Sequence, residues 1–146
     1  MERERQRPQP VIYIANHPHN EDRLYVLMAL RTFRLATPSR GRGRKIPLFS
    51  SLMKLTDSIN VDHGNTLEVL RSRLMEGQSV LIFPQGKTTK DRSTLVHSGA
   101  MVLSLQTGVP IVPLFIKDRF QVKVGEPFMP KADENIMDRV WELGDD

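Results

Sequence analysis

The seven residues Asn16-His17-Pro18-His19-Asn20-Glu21-Asp22 gather two imidazoles and two carboxylates in one short stretch. An imidazole, which ordinarily titrates near pH ~6.5, can accept a proton at neutral pH. A carboxylate on its other ring nitrogen fixes the tautomer and supports the imidazolium that forms. His17 as base and Asp22 as its partner are the candidates for that pair. Five positions apart within one helix they would project about 140° apart, at roughly 100° per residue. With His17 in a turn ahead of the helix, Asp22 in the first helical turn can fold back onto it. Spacing alone leaves another option open, because an acid at a helix start is also an ordinary cap.

A second polar stretch, Phe83-Pro84-Gln85-Gly86-Lys87-Thr88-Thr89, follows an apolar run. A glycine turn after a strand, with a lysine and two hydroxyls, can cradle a phosphate. It lacks the G-x-x-x-x-G-K-[ST] spacing of a nucleotide-binding P-loop, and an ordinary surface turn has the same composition. Arg40, Arg42, Arg44 and Lys45 form a basic loop that could meet an anion or simply face water. No aromatic residues interleave with these charges, so nucleic acid is not the expected partner. His17, His19 and Asp22 also offer three metal ligands within six residues, as zinc hydrolases do. The later ligands for such a site are thin, with His63 and His97 the remaining histidines. No G-x-S-x-G elbow is present for a serine hydrolase.

These residues need a scaffold that brings two turns together. The run 11–15 reads as a buried strand, and Leu24, Leu27 and Met28 mark the helix that follows. Asn20 is placed to cap that helix, which is expected to run to about residue 34. Residues 35–38 suit the end of a second short strand, and Pro47 with Leu48, Leu52 and Leu55 suits another helix. Residues 58–62 suit a strand. Asn65-Thr66-Leu67-Glu68 fits a capping box, and Gly77 suits the end of its helix. The remaining elements are a strand at 79–83, an apolar helix at 98–106, strands at 109–116 and 121–125, and an acidic helix at 133–143. Strands and helices alternate throughout. That predicts an α/β fold with a mostly parallel central sheet flanked by helices, in a single compact domain over 11–146, after a disordered lead-in at 1–10. Such sheets bind ligands beyond the carboxyl ends of their strands, where the turns after 15 and 83 would share one crevice.

Composition narrows the chemistry. The chain has 146 residues and no cysteine, which excludes disulfides and a thiol nucleophile. Its start is charged rather than apolar, and no run approaches the roughly 20 apolar residues of a membrane helix. A soluble or peripheral protein is therefore expected. Charge is uneven: residues 1–45 carry ten Arg or Lys against four acids, and residues 132–146 carry six acids against Arg139. A basic half attracts phosphates, acidic carrier proteins or anionic lipid.

Taken together, these loops resemble the motifs of the glycerolipid acyltransferases of the lysophosphatidic acid acyltransferase type. Asn16, His17 and Asp22 match N-H-x-x-x-x-D. Phe83-Pro84-Gln85-Gly86-Lys87 matches three of five positions of F-P-E-G-T, and Val109-Pro110-Ile111-Val112-Pro113 matches V-P-I-V-P in full. The stretches 74–82 and Val124-Gly125-Glu126-Pro127 add to the likeness, which covers roughly residues 11–130. The resemblance implies transfer of a fatty acyl group from a thioester to a hydroxyl of a lysophospholipid or glycerol-phosphate-like acceptor. The donor is acyl-coenzyme A or acyl carrier protein, with no bound cofactor and no metal. It makes His17 the general base and Asp22 its partner. It places acceptor binding at His63, Phe83, Pro84, Gln85, Gly86, Lys87 and Thr88. A cytoplasmic protein is expected, able to sit peripherally on an anionic membrane through its basic half, although the apolar segment that members of the family often carry ahead of the first strand is absent from residues 1–10.

Departures from the pattern fall on the acceptor side. His63 stands where the second motif ends in arginine, Gln85 replaces a glutamate, Lys87 a threonine, and His19 a usual serine. A degenerate module that binds lipid or acyl carrier without turnover is the alternative these changes suggest.

Overall fold

A computed structural model describes residues 9–32, 34–39, 58–60, 64–118 and 121–145. The lead-in before residue 9, the basic loop 40–45, the helix expected from Pro47, the end of the 58–62 strand and His63 lie outside the described residues.

Two sheets form. The larger has strand order β4-β1-β5-β6, with β1 at Ile12–Ala15, β4 at Val80–Ile82, β5 at Ile111–Asp118 and β6 at Gln121–Val124. β1 is the centre: it runs parallel to β4 in the register Ile12 to Val80, and parallel to β5 in the register Ile12 to Ile111. β6 returns antiparallel along β5 as a hairpin with an irregularity between Ile116 and Asp118. β2 (Thr37–Ser39) and β3 (Ser58–Asn60) pair parallel in the smaller sheet, and a bridge from Ala36 to Val80 ties that pair to the edge of β4. The α/β class with a mostly parallel sheet and a single compact domain is therefore as the sequence predicts.

β1 is buried along its whole length, as a central parallel strand covered on both faces should be. Ile12 and Ile14 pack with Leu70 and Leu74 of α2 (Thr66–Met75), Leu103 of α3 (Gly99–Thr107) and Val140 of α4 (Met137–Asp145). Tyr13 and Ala15 project into the opposite core with Val26, Leu27 and Leu30 of α1 (Asp22–Leu30). Fully burying an Ile or Leu side chain contributes about 1.5–3 kcal/mol, so these two layers fix the sheet that carries the turns.

Helix ends depart from the sequence expectation. α1 stops at Leu30, four residues short of residue 34. Arg31 takes the left-handed conformation at φ 55°, and Thr32 N–H reaches Leu27 O while Arg31 N–H reaches Met28 O. This is a Schellman stop without its usual glycine, so no residue type marked it. α2 ends as expected, with Gly77 at φ 90° and Gln78 N–H on Arg73 O. Neither expected amide cap forms. Asn65 sits at φ −115°, ψ 26°, off the extended region from which an N-cap side chain reaches its helix, and makes no cap hydrogen bond. Glu21, not Asn20, precedes α1.

Candidate active site

The first motif begins where β1 ends, and Asn16 explains why its turn is held in place. Its side-chain Nδ2 donates to Ile116 O at 2.9 Å, and its Oδ1 accepts from Ile116 N–H at 2.7 Å. The buried amide thus continues the β1–β5 ladder by one side-chain rung. From that anchor the chain turns, and Asp22 enters the first turn of α1 at 0% exposure.

His17 Nδ1 lies 2.8 Å from Asp22 Oδ2. A carboxylate only accepts hydrogen bonds, so the shared proton resides on Nδ1 and the Nε2 lone pair of the neutral ring is left as the acceptor. His17 keeps 18% of its side chain exposed, so the pair is not sealed in the core. Phe83 stacks on the imidazole with ring centres 4.3 Å apart and planes 22° apart. Ring plane and tautomer are therefore both determined.

The second loop meets the first directly. β1 and β4 are parallel neighbours, so the turns after them emerge at the same end of the sheet. Thr89 N–H donates to His17 O at 2.7 Å, and Thr88 Oγ1 donates to Asn20 Oδ1 at 3.0 Å. Asn20 is occupied across the site rather than at its own helix. The loop turns at Phe83-Pro84-Gln85-Gly86, where Gly86 N–H returns to Phe83 O at 2.9 Å. Gly86 has φ +71°, and a Cβ there would lie 2.9 Å from Cδ2 of His97. The positive φ favours glycine, while the His97 ring, which is exposed, would have to shift for a larger residue.

Of the residues expected on the acceptor side, Lys87 and Thr88 are exposed, while Gly86 and Phe83 are partly covered. Pro84 is buried, with its carbonyl accepting His97 N–H at 2.8 Å. Gln85 is turned into the protein at 2% exposure, and its Nε2 donates to Asp91 O at 3.2 Å. Its Oε1 is buried without a hydrogen-bond partner. The glutamine braces the loop it belongs to. Beyond it, Ser93 donates its hydroxyl and its N–H to Asp91 Oδ1, and these hydrogen bonds hold the Asp91 carboxyl below the usual range. Arg92 pairs with Asp145 of α4 through both terminal guanidinium nitrogens and lies over the Trp141 ring. That hydrogen bond lowers Asp145 and raises Arg92.

Two residues with a place in this geometry were not marked as such in the sequence. Asn16 was visible only as a motif letter. In the sequence His19 stands as one of three metal candidates and as the replacement for a usual serine, yet its ring and its backbone N–H both point at Asp22. Both Asp22 oxygens accept N–H donors, and among the described residues no group of three His, Cys, Asp or Glu side chains is arranged to hold a metal ion.

The arrangement is a histidine–carboxylate pair at the carboxyl end of a parallel sheet, flanked by a glycine loop. Residues 1–117 match the sequence profile of the Acyltransferase family, and the chain belongs to that family. It is 31% identical over 117 residues to a 1-acyl-sn-glycerol-3-phosphate acyltransferase of Escherichia coli K12, covering 72% of this chain and 46% of that one. A lyso-ornithine lipid O-acyltransferase of Pseudomonas aeruginosa is 31% identical over 117 residues, covering 76% of this chain and 44% of its own. The chain thus spans less than half the length of these two relatives. The crystal structure of a 1-acyl-sn-glycerophosphate acyltransferase from Thermotoga maritima shares the fold, with a TM-score of 0.67 at 21% identity over 94% of this chain and 64% of that one.

Proposed function

We propose that this chain transfers a fatty acyl group from an acyl thioester to the hydroxyl of a lysophospholipid or glycerol-phosphate-like acceptor. The observation that carries the reading is the 2.8 Å contact from His17 Nδ1 to Asp22, on an imidazole stacked against Phe83 of the glycine loop, with the His17 backbone carbonyl tied to Thr89 N–H of the same loop. His17 Nε2 takes the acceptor's hydroxyl proton as its oxygen attacks the thioester carbonyl. A carbon–oxygen bond forms and the carbonyl electrons move to oxygen. Their return breaks the carbon–sulfur bond, and the departing thiolate takes the proton back from Nε2. Asp22 supports the imidazolium between those two events. A positioned base contributes about 10²- to 10⁴-fold. Holding hydroxyl and thioester in register supplies more of the acceleration.

The acceptor's phosphate is assigned to the outer face of the 83–89 loop, where the Lys87 ammonium and the Thr88 hydroxyl are exposed. Gln85 serves that loop from within. His63 is kept as a second phosphate contact on sequence grounds. The donor is acyl-coenzyme A or acyl carrier protein. Contact with an anionic membrane is assigned to the basic first third of the chain, at about 1 kcal/mol per Lys or Arg near the surface. No described helix is long and apolar enough to cross a membrane.

The test is thiol release from each acyl thioester with a panel of lysophospholipid and glycerol-phosphate acceptors. Acceptor-dependent release with matching O-acyl product supports the proposal. Binding of donor and acceptor without release under any pairing leaves a non-catalytic binding module instead.

A further inference from the structure

We propose that His19 is a positioning residue of this site, locking the Asp22 carboxylate in the one orientation that serves His17. The inference rests on the reading of His17 as base. Three donors converge on the buried carboxylate. His17 Nδ1–H and His19 backbone N–H each reach Oδ2 at 2.8 Å, and His19 Nδ1–H reaches Oδ1 at 3.0 Å. The last torsion of an aspartate is broad and roughly two-fold, so a carboxylate held at one oxygen can turn. Turning would carry the His17 ring with it. The His19 ring, by occupying the second oxygen, removes that freedom.

The ring is itself held. Tyr25 stands edge-on with centroids 5.8 Å apart, and the next residue, Asn20, is tied to Thr88. His19 differs from His17 in its surroundings. It is 31% exposed, and its ring contact is with α1 rather than with Phe83 of the glycine loop. His17 is the imidazole beside the acceptor loop, and His19 supports it through their shared acid.

Two readouts test this in the full chain. The first is acyl-transfer kinetics. His19→Ala is expected to lower kcat about tenfold with KM unchanged, the effect of one lost charge-assisted hydrogen bond. His19→Asn, whose amide N–H occupies the position of Nδ1, restores the rate. The second is proton NMR of ¹⁵N-histidine-labelled protein, which needs no turnover. The low-field His17 Nδ1–H signal should move upfield and exchange faster with water in His19→Ala, and return in His19→Asn. If alanine prevents folding, His19→Phe keeps the bulk without the donor and carries the same comparison. An unmoved His17 signal with wild-type kcat, or a loss that asparagine does not repair, overturns the proposal. A wild-type chain that transfers no acyl group would instead overturn the base assignment, while the NMR comparison would still decide whether His19 positions Asp22.

Discussion

Replacing Asp22 by asparagine isolates the charge of the pair from its shape. The backbone N–H of His19 donates to Oδ2 and has no alternative tautomer. In Asp22→Asn it therefore selects the amide orientation that leaves oxygen at the Oδ2 position. That oxygen still accepts His17 Nδ1–H, so Nε2 remains the free lone pair. The amide nitrogen then faces His19 Nδ1, which moves its own proton to Nε2. Geometry at His17 survives and the negative charge does not. For charge centres about 4 Å apart at an effective dielectric of about 20, the imidazolium loses roughly 4 kcal/mol of support. At 1.36 kcal/mol per factor of ten, that corresponds to about 10³-fold in kcat. Water access at the partly exposed His17 reduces it toward 10². Thiol release under saturating acceptor measures kcat, and circular dichroism confirms that the variant is folded. A folded Asp22→Asn variant within about tenfold of the wild-type rate would show that Asp22 does not support a charged imidazole.

Three further outcomes concern the scaffold. Asn16→Ala leaves the N–H and C=O of Ile116 without their buried partner and is expected to cost about 2–4 kcal/mol in urea denaturation; a cost below 1 kcal/mol would contradict the clamp. Gly86→Ala forces a side chain into φ +71° against His97, so a loss of about 1–2 kcal/mol is expected and an unchanged melting temperature would refute it. Asp91, Glu134 and Asp145 each titrate below the usual carboxylate range when folded, by hydrogen bonds from Ser93, Lys131 and Arg92 respectively. Depressed folded values mean that the stability they contribute is present above their unfolded values and lost as pH falls below about 4. Arg92 and Asp145 are exposed and screened by solvent, so Asp145→Asn should flatten the acid fall in melting temperature only slightly, and a steeper acid fall in the variant would contradict the sign of the shift.

How far the sequence could be read depended on whether each interaction was local. The His17–Asp22 pair was legible because its partners sit in a strand, a turn and a first helical turn, where spacing determines geometry. The adjacency of the two loops followed from parallel strands alone. Asn16 was not legible as a clamp, since its partner Ile116 lies 100 positions away. Asn20 and Asn65 were read as caps from local propensity, but Asn20 is engaged by Thr88 across the site and Asn65 has the wrong backbone angles. The early end of α1 was hidden because Arg31 adopts a conformation that glycine usually marks. The sequence predicts Gln85 at an acceptor on a surface turn, yet the side chain is buried. Its burial depends on the 85–91 loop folding over it, which no short-range pattern encodes.

The most direct measurement is acyl transfer by His17→Ala beside wild type, with thiol release and O-acyl product followed together at matched folding. If His17 is the base, acceptor-dependent turnover is expected in the wild type and none above background in the variant. Turnover at the wild-type rate by a folded His17→Ala chain would contradict that role.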